Sequence, residues 1–456
     1  MNLRRVVLSL ISVLCVISVQ AQAKYIFYFI GDGMGIGAVT TAEAFVRQTR
    51  GEQSRLTMTQ LPVASLATTF SASSPVTDSA AAGTALATGK KTRNGMLGVT
   101  PDSAAAVSIA TKLHEAGYGV GLVTTVAPDD ATPGAFYAHQ PSRSMYYEIG
   151  RDAAASGFEF IAGGNLRGYK GNDLMAVLEE SGMAVVRGMD QLKETESRRI
   201  FLLDKDTTRV TVPYAVDSLE GYLTLPDMTQ ACLDHLLKNS PERFFMMVEG
   251  GSIDHAAHGN DAAATIVETV NFDNALKIAY QFYLQHPTET LIVVTADHET
   301  GGMIYANAAL HYYAHPEYLP YVRMSKEKLS EYCKSILGSR SVITWDDMKR
   351  FLSDRLGLFS KIPVSESDEQ TLRQLFDETF EKRQAGADQH SLYASFNQFA
   401  VECNNIINRA VGIGWTTMDH SGTAVPVFAA GRGAFSFSRM LDNTEIPALI
   451  LRSAGL

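Results

Sequence analysis

The chain has 456 residues, 46% of them hydrophobic and 19% charged, which is the composition of a folded protein with room for two or three domains. A formal net charge of −10 argues against sequence-independent binding to nucleic acid or to anionic membranes, although bound divalent cations can reverse the sign locally and admit an anionic substrate. The four cysteines include no C-x-x-C pair, which argues against a cysteine-based zinc site.

Residues 1–23 read as a leader. Arg4 and Arg5 precede a mostly apolar run at 6–19, and Ala21-Gln22-Ala23 supplies an A-x-A cleavage signal. The run is too short for a membrane helix, and no later segment is long and apolar enough to span a bilayer, so the mature protein is expected to be periplasmic or secreted. Cys232, Cys333 and Cys403 would remain, enough for at most one intramolecular disulfide.

The mature chain opens with a nearly continuous apolar run at 24–30, the signature of a strand buried on both faces. It ends in Gly31-Asp32-Gly33-Met34-Gly35. Two readings compete there. Gly33, Gly35 and Ala38 satisfy a relaxed dinucleotide fingerprint, whereas Asp32 is a carboxylate at a strand end, with glycines that let backbone approach a metal closely. Little dinucleotide reaches an exported protein, which favours the second. A short strand at 64–70 is followed by a helix starting at Asp78 or Ser79. Ser79 is either an ordinary helix cap or a nucleophile whose oxygen is ionised by a metal.

A strand at 118–126 leads to Asp129, Asp130 and Thr132, and then to Arg143, which is either a surface cation or a bidentate phosphate ligand. Residues 150–242 alternate helical and strand-like segments without evident chemistry. After a strand at 243–248 come Glu249, Asp254, His255 and His258. On a helix, Asp254 and His258 would share one face at i and i+4, able to hold zinc, while Glu249 suits a harder cation. The bland alternative is a capped helix with packed histidines. A strand at 290–296 ends in Asp297 and His298, and a last strand at 425–430 is preceded, not followed, by His420. Strand after strand ending in metal-binding side chains predicts an α/β fold: a doubly wound, mostly parallel central sheet flanked by helices, with one crevice at its edge. It occupies residues 24–456 and is interrupted by a mainly helical insertion at about 306–409, near the active-site edge.

Six segments, G-D-G-M-G from Gly31, T-D-S-A-A-A-G-T-A from Thr77, D-A-T-P from Asp130, E-G-G-S-I-D-H-A-A-H from Glu249, T-A-D-H-E-T-G-G from Thr295 and D-H-S-G-T from Asp419, resemble the alkaline phosphatase family in content and order. The resemblance implies hydrolysis of phosphate monoesters through a covalent phosphoserine on Ser79. It implies two zinc ions, one on Asp254, His258 and His420 and one on Asp32, Asp297 and His298, and a magnesium ion on Asp32, Thr132 and Glu249. Arg143 would bind the phosphoryl group, with Asp130 and His255 beside it. Asp130 resembles the enterobacterial member and His255 the animal enzymes. Rival readings are a phosphodiesterase of the same superfamily and a phosphate-binding protein without turnover. The expected partners are small phosphomonoesters, and a homodimer stays open. No motif marks a pocket for the leaving group, so a broad substrate range is expected.

Overall fold

The computed structural model describes residues 22–217, 220–308, 310–339 and 342–456. Residues 1–21 of the expected leader lie outside that set. Its last residue, Ala23, is one the fold uses: it is buried, and its carbonyl accepts from the Tyr118 hydroxyl at 2.6 Å.

The sheet strands are β1 (Tyr25–Ile30), β2 (Val63–Thr68), β3 (Gly119–Thr124), β4 (Phe160–Ala162), β5 (Ala184–Arg187), β6 (Ile200–Leu203), β7 (Phe244–Glu249), β8 (Thr290–Thr295), β9 (Val425–Gly431) and β10 (Leu441–Asp442). They form one ten-stranded sheet in the order β10-β2-β9-β8-β1-β7-β3-β4-β6-β5. β9 alone runs antiparallel to its neighbours β8 and β2, and every other pairing is parallel. The expected doubly wound, mostly parallel α/β sheet is therefore the fold. β1 is central, and its unbroken apolar sequence fits a strand covered on both faces. Alternate side chains point to opposite layers. Phe27 and Phe29 pack edge-on against Phe282 and Phe272, whereas Tyr28 meets Phe136.

The helices that matter for the site are α1 (Ile36–Arg50), α2 (Ser79–Thr88), α3 (Leu225–Asn239), α4 (Ser252–His258) and α5 (Ala262–Gln285). α5 packs on α1, α3 and α4. Asp78 caps α2 by accepting the Ala81 amide at 3.0 Å, and Asp261 caps α5 by accepting the Ala264 amide at 3.1 Å.

The chain leaves the sheet core through a two-residue strand, Ile304–Tyr305, and returns through Ile413–Gly414, its antiparallel partner. Between them lie α6 (Lys326–Ser339), α7 (Trp345–Leu356), α8 (Glu366–Phe376) and α9 (Gln398–Val411). A small hairpin of Gln389–His390 with Ser395–Phe396 precedes α9. Cys232, Cys333 and Cys403 are all buried free thiols.

Candidate active site

Strand register assembles the site. Ile30 at the end of β1 stands opposite Glu249 on one side and Thr295 on the other. Asp32 and Asp297, each two residues beyond, are thereby brought to the same edge. Thr124 of β3 is also level with Glu249, to which its hydroxyl donates. β9 runs the opposite way, so its beginning lies where the parallel strands end. That is why His420 reaches the crevice from in front of a strand.

Gly33 sits at the tightest point. Its φ is +71°, its amide donates to Asp297 Oδ1 at 3.1 Å, and a Cβ there would lie 2.9 Å from Asp254 Cα. The left-handed backbone and the close approach both call for glycine.

Ser79 is the first residue of α2, 1% exposed, with its Oγ 3.2 Å from His298 Nε2. Arg143 is strung between two carboxylates: Nη1 donates to Asp78 Oδ2 and Nη2 to Asp130 Oδ1, both at 3.3 Å. Asp130 also accepts from Arg167, at 3.1 Å from Nε and 2.9 Å from Nη2. Burial opposes ionisation of Asp130, but Arg167 and then Arg143 outweigh it and hold the carboxyl at about 2.

Two clusters have the chemistry of metal sites. His298 Nε2 lies 3.4 Å from Asp32 Oδ1 and 3.3 Å from Asp297 Oδ2. Asp254 is flanked by His258 Nε2 at 3.4 Å and His420 Nε2 at 3.7 Å. The clusters share an edge, because the ligand atoms of Asp254, His298 and His420 all lie within 4.8 Å of one another. The tautomers can be assigned from their partners. His258 Nδ1 faces the Met418 carbonyl at 2.5 Å and His420 Nδ1 the Thr77 carbonyl at 2.8 Å; a carbonyl only accepts, so both rings carry the proton on Nδ1. The Thr300 hydroxyl donates to Asp254 Oδ1 at 2.5 Å and so accepts from His298 Nδ1 at 3.2 Å. All three rings thus present a bare Nε2. Those of His258 and His420 are 3.1 Å apart, and two lone pairs at that distance repel unless a cation lies between them.

The oxygens give the same result. Asp32 Oδ1, Asp254 Oδ2, Asp297 Oδ2, Glu249 Oε1 and Thr132 Oγ1 are buried without a hydrogen-bond partner among the described residues. Orphaned acceptors on this scale are costly, and a bound cation satisfies them. Burial pushes Asp297 and Glu249 up to about 8, and burial with Asp297 and Asp254 nearby pushes Asp32 well above the carboxylate range. Without added positive charge these carboxylates could not all be ionised, so the donor set fits divalent cations.

Asp32, Ser79, Asp130, Arg143, Glu249, Asp254, His258, Asp297, His298 and His420 thus come to one sheet edge. Two others were not foreseen. Arg167 lies in a stretch that read as chemically empty, and the Asp129 carboxylate holds its turn by accepting the Arg167 and Gly168 amides. Tyr393, at the tip of the small hairpin, stacks on His255 with ring centroids 3.7 Å apart and meets the His258 ring edge-on at 5.3 Å. The His255 ring is therefore roofed, and burial lowers it to about 4.

Comparison with known proteins points to one family. The alkaline phosphatase family model matches residues 23–167 and 167–456. Alkaline phosphatase 4 of Bacillus subtilis is 30% identical over 387 residues, covering 83% of this chain and 76% of that protein. The cold-active alkaline phosphatase of a psychrophilic Shewanella superimposes with a TM-score of 0.80 at 29% identity, over 94% of this chain and 99% of the other. The enzyme of Thermus thermophilus gives a TM-score of 0.77 at 26% identity, over 96% of this chain and 93% of the other. Motifs, sheet, metal-type clusters and relatives coincide: the chain belongs to the alkaline phosphatase family, metal-dependent hydrolases of phosphate monoesters.

Proposed function

We propose that the protein is an exported phosphomonoesterase that works through a covalent phosphoserine on Ser79, with two zinc ions and one magnesium ion at the sheet edge. Asp254, His258 and His420 would hold one zinc, Asp32, Asp297 and His298 the other, and Asp32, Thr132 and Glu249 the magnesium. Bound there, the ions would supply the Lewis acidity that ionises the attacking hydroxyl and neutralises charge on the leaving oxygen.

The chain's own residues do the rest. Arg143 takes two non-bridging phosphoryl oxygens on its planar guanidinium, whose orientation Asp78 and Asp130 fix. Ser79 Oγ forms a bond to phosphorus as the opposite ester P–O bond breaks, and the alcohol leaves with a proton. Water then breaks the seryl–phosphorus bond, giving inorganic phosphate and restoring the Ser79 hydroxyl. Arg143 neutralises equatorial oxygens whose charge persists through both displacements, so its contact also favours the transition state. Export is supported by the basic, apolar and A-x-A segments of residues 1–23.

The observation that carries this reading is the 3.2 Å approach of Ser79 Oγ to His298 Nε2, the atom around which Asp32 and Asp297 gather. The test is acid quenching during turnover of 4-nitrophenyl phosphate, followed by mass spectrometry of the Ser79 peptide. A phosphorylated peptide is expected in the wild type, and neither it nor appreciable turnover in Ser79→Ala. Wild-type turnover by Ser79→Ala would remove the proposed nucleophile.

A further inference from the structure

The site described so far grips the phosphoryl end of a substrate and says nothing of the alcohol. Next to it lies a cavity of about 380 Å³, within the size range of small-molecule sites. It shares His255, Arg167 and Tyr393 with the catalytic edge, and its lining continues through Arg209, Glu327 and Glu331. The cavity is therefore built jointly. His255, Arg167 and Arg209 come from the sheet domain, whereas Tyr393, Glu327 and Glu331 come from the insertion.

Its polar groups alternate in sign. Arg209 holds both Glu331 oxygens through a single nitrogen, at 2.8 and 2.9 Å, and Arg167 meets Asp130 through Nε and Nη2. Each guanidinium has five N–H donors, so both have donors beyond these contacts. Glu327 supplies an acceptor, and burial and the neighbouring Glu331 raise its carboxyl. A second anionic group on the substrate would face Glu327 and Glu331. An aryl group would desolvate four charged side chains and replace none of their hydrogen bonds. A hydroxyl both donates and accepts, so a chain of hydroxyls can satisfy guanidinium and carboxylate together. The Tyr393 ring adds a flat apolar wall against which the C–H face of a sugar ring can lie.

We propose that this cavity is a leaving-group subsite for a polyhydroxylated alcohol, so that sugar phosphates are the class of monoester the protein recognises best. The proposal rests on the phosphomonoesterase reading. It also replaces the expectation of an undiscriminating range, which followed from the lack of a pocket motif in the sequence. The insertion completes this pocket with residues far from any motif.

The test compares kcat/KM for glucose 6-phosphate and for 4-nitrophenyl phosphate in the full-length metal-loaded enzyme and in two variants. Glu327→Gln removes the charged acceptor, and Thr211→Phe, from the cavity lining, fills the space. Circular dichroism establishes that each variant is folded. The sugar-to-aryl ratio of kcat/KM is expected to fall about tenfold in Glu327→Gln, the effect of one lost hydrogen bond to a charged group, and at least as far in Thr211→Phe, where the sugar is excluded by bulk. An unchanged ratio in a folded variant overturns the proposal. Saturation-transfer NMR with glucose provides a readout that does not need turnover: a signal in the wild type that weakens in both variants is expected. If the wild type hydrolyses neither ester, the phosphomonoesterase reading fails, and the NMR result decides the cavity separately. No glucose signal in the wild type would then overturn the subsite.

Discussion

Replacing Gly33 by alanine tests whether the two metal-type clusters depend on one close backbone approach. Two costs are separable. The first is conformational: at a φ of +71° a Cβ costs roughly 1–2 kcal/mol. The second is contact: the new methyl would lie 2.9 Å from Asp254 Cα, Cβ and Oδ1. Carbon atoms pack at about 3.5–4.0 Å, so Asp254 must retreat by roughly 0.6–1 Å. Overpacking of this kind adds about 1–3 kcal/mol. A displacement near 1 Å at a reacting centre costs about 100-fold in rate. Gly117 is the control, because its φ is +85° and a Cβ there meets nothing within 4 Å. Urea unfolding, kcat/KM on 4-nitrophenyl phosphate and metal bound per chain are measured for both variants. Gly117→Ala should lose about 1 kcal/mol and keep its activity. Gly33→Ala should lose about 2–5 kcal/mol, about 100-fold in kcat/KM, and part of its bound metal. If Gly33→Ala behaves like Gly117→Ala in activity and metal content, Asp254 is not positioned by that contact and the argument is wrong.

Two further predictions concern buried carboxylates away from the metal-type clusters or at their margin. Glu268 is fully buried, accepts the Ala215 amide at 2.5 Å, and is raised to about 7 by burial. A raised folded value means that its stabilising effect is complete below its unfolded pKa of about 4.5 and lost as pH rises to about 7, up to roughly 3 kcal/mol. Glu268→Gln, which retains an acceptor, should therefore be more stable than wild type in urea at pH 8 and no more stable at pH 4.5; equal gains at both would refute this. Asp130, held at about 2 against 3.8 unfolded, contributes roughly 2 kcal/mol above pH 4 that fades as pH falls toward 2. Asp130→Asn should lose about that much at pH 7 and weaken inhibition by inorganic phosphate about tenfold, since Arg143 then keeps only Asp78 as a charged support; undiminished phosphate affinity would show that Asp130 does not aim Arg143.

What the sequence revealed of the site depended on how local each signal was. Asp32, Glu249 and Asp297 each close an apolar run, so strand and chemistry are read in one glance, and shared register then gathers them. His420 looked misplaced by the same rule, because strand direction is a long-range property: the reversal of β9, with the direct pairing of His420 to Thr300, turns a residue before a strand into a neighbour of residues after strands. Asp254 and His258 follow helical spacing and appear on α4. Arg167 and Tyr393 had no such signal. Arg167 joins the candidate site through a carboxylate 37 residues away in sequence, and Tyr393 is one of 18 tyrosines, distinguished only by a hairpin folded over His255.

That hairpin changes how the insertion is understood. Composition placed it as helices over the sheet edge, which would allow a separate cap. Its attachments argue otherwise. The Lys326 amide at the start of α6 donates to Asp261 Oδ2 at 2.6 Å, and Asp261 is also the cap of α5. Asn404 and Asn408 of α9 both donate to the Asn260 carbonyl, at 2.9 and 2.8 Å, two residues beyond His258. Lys326 in turn holds the hairpin, donating to Gln389 at 3.0 Å and lying 3.9 Å over the Phe396 ring. The same short stretch, residues 258–261, therefore carries a metal-type histidine, starts the longest helix against the sheet and anchors the insertion at two places. Loss of the insertion would leave the Asp261 and Asn260 acceptors without those donors and unroof His255. The fold is better described as one active site with two contributing segments than as an enzyme with an appended lid.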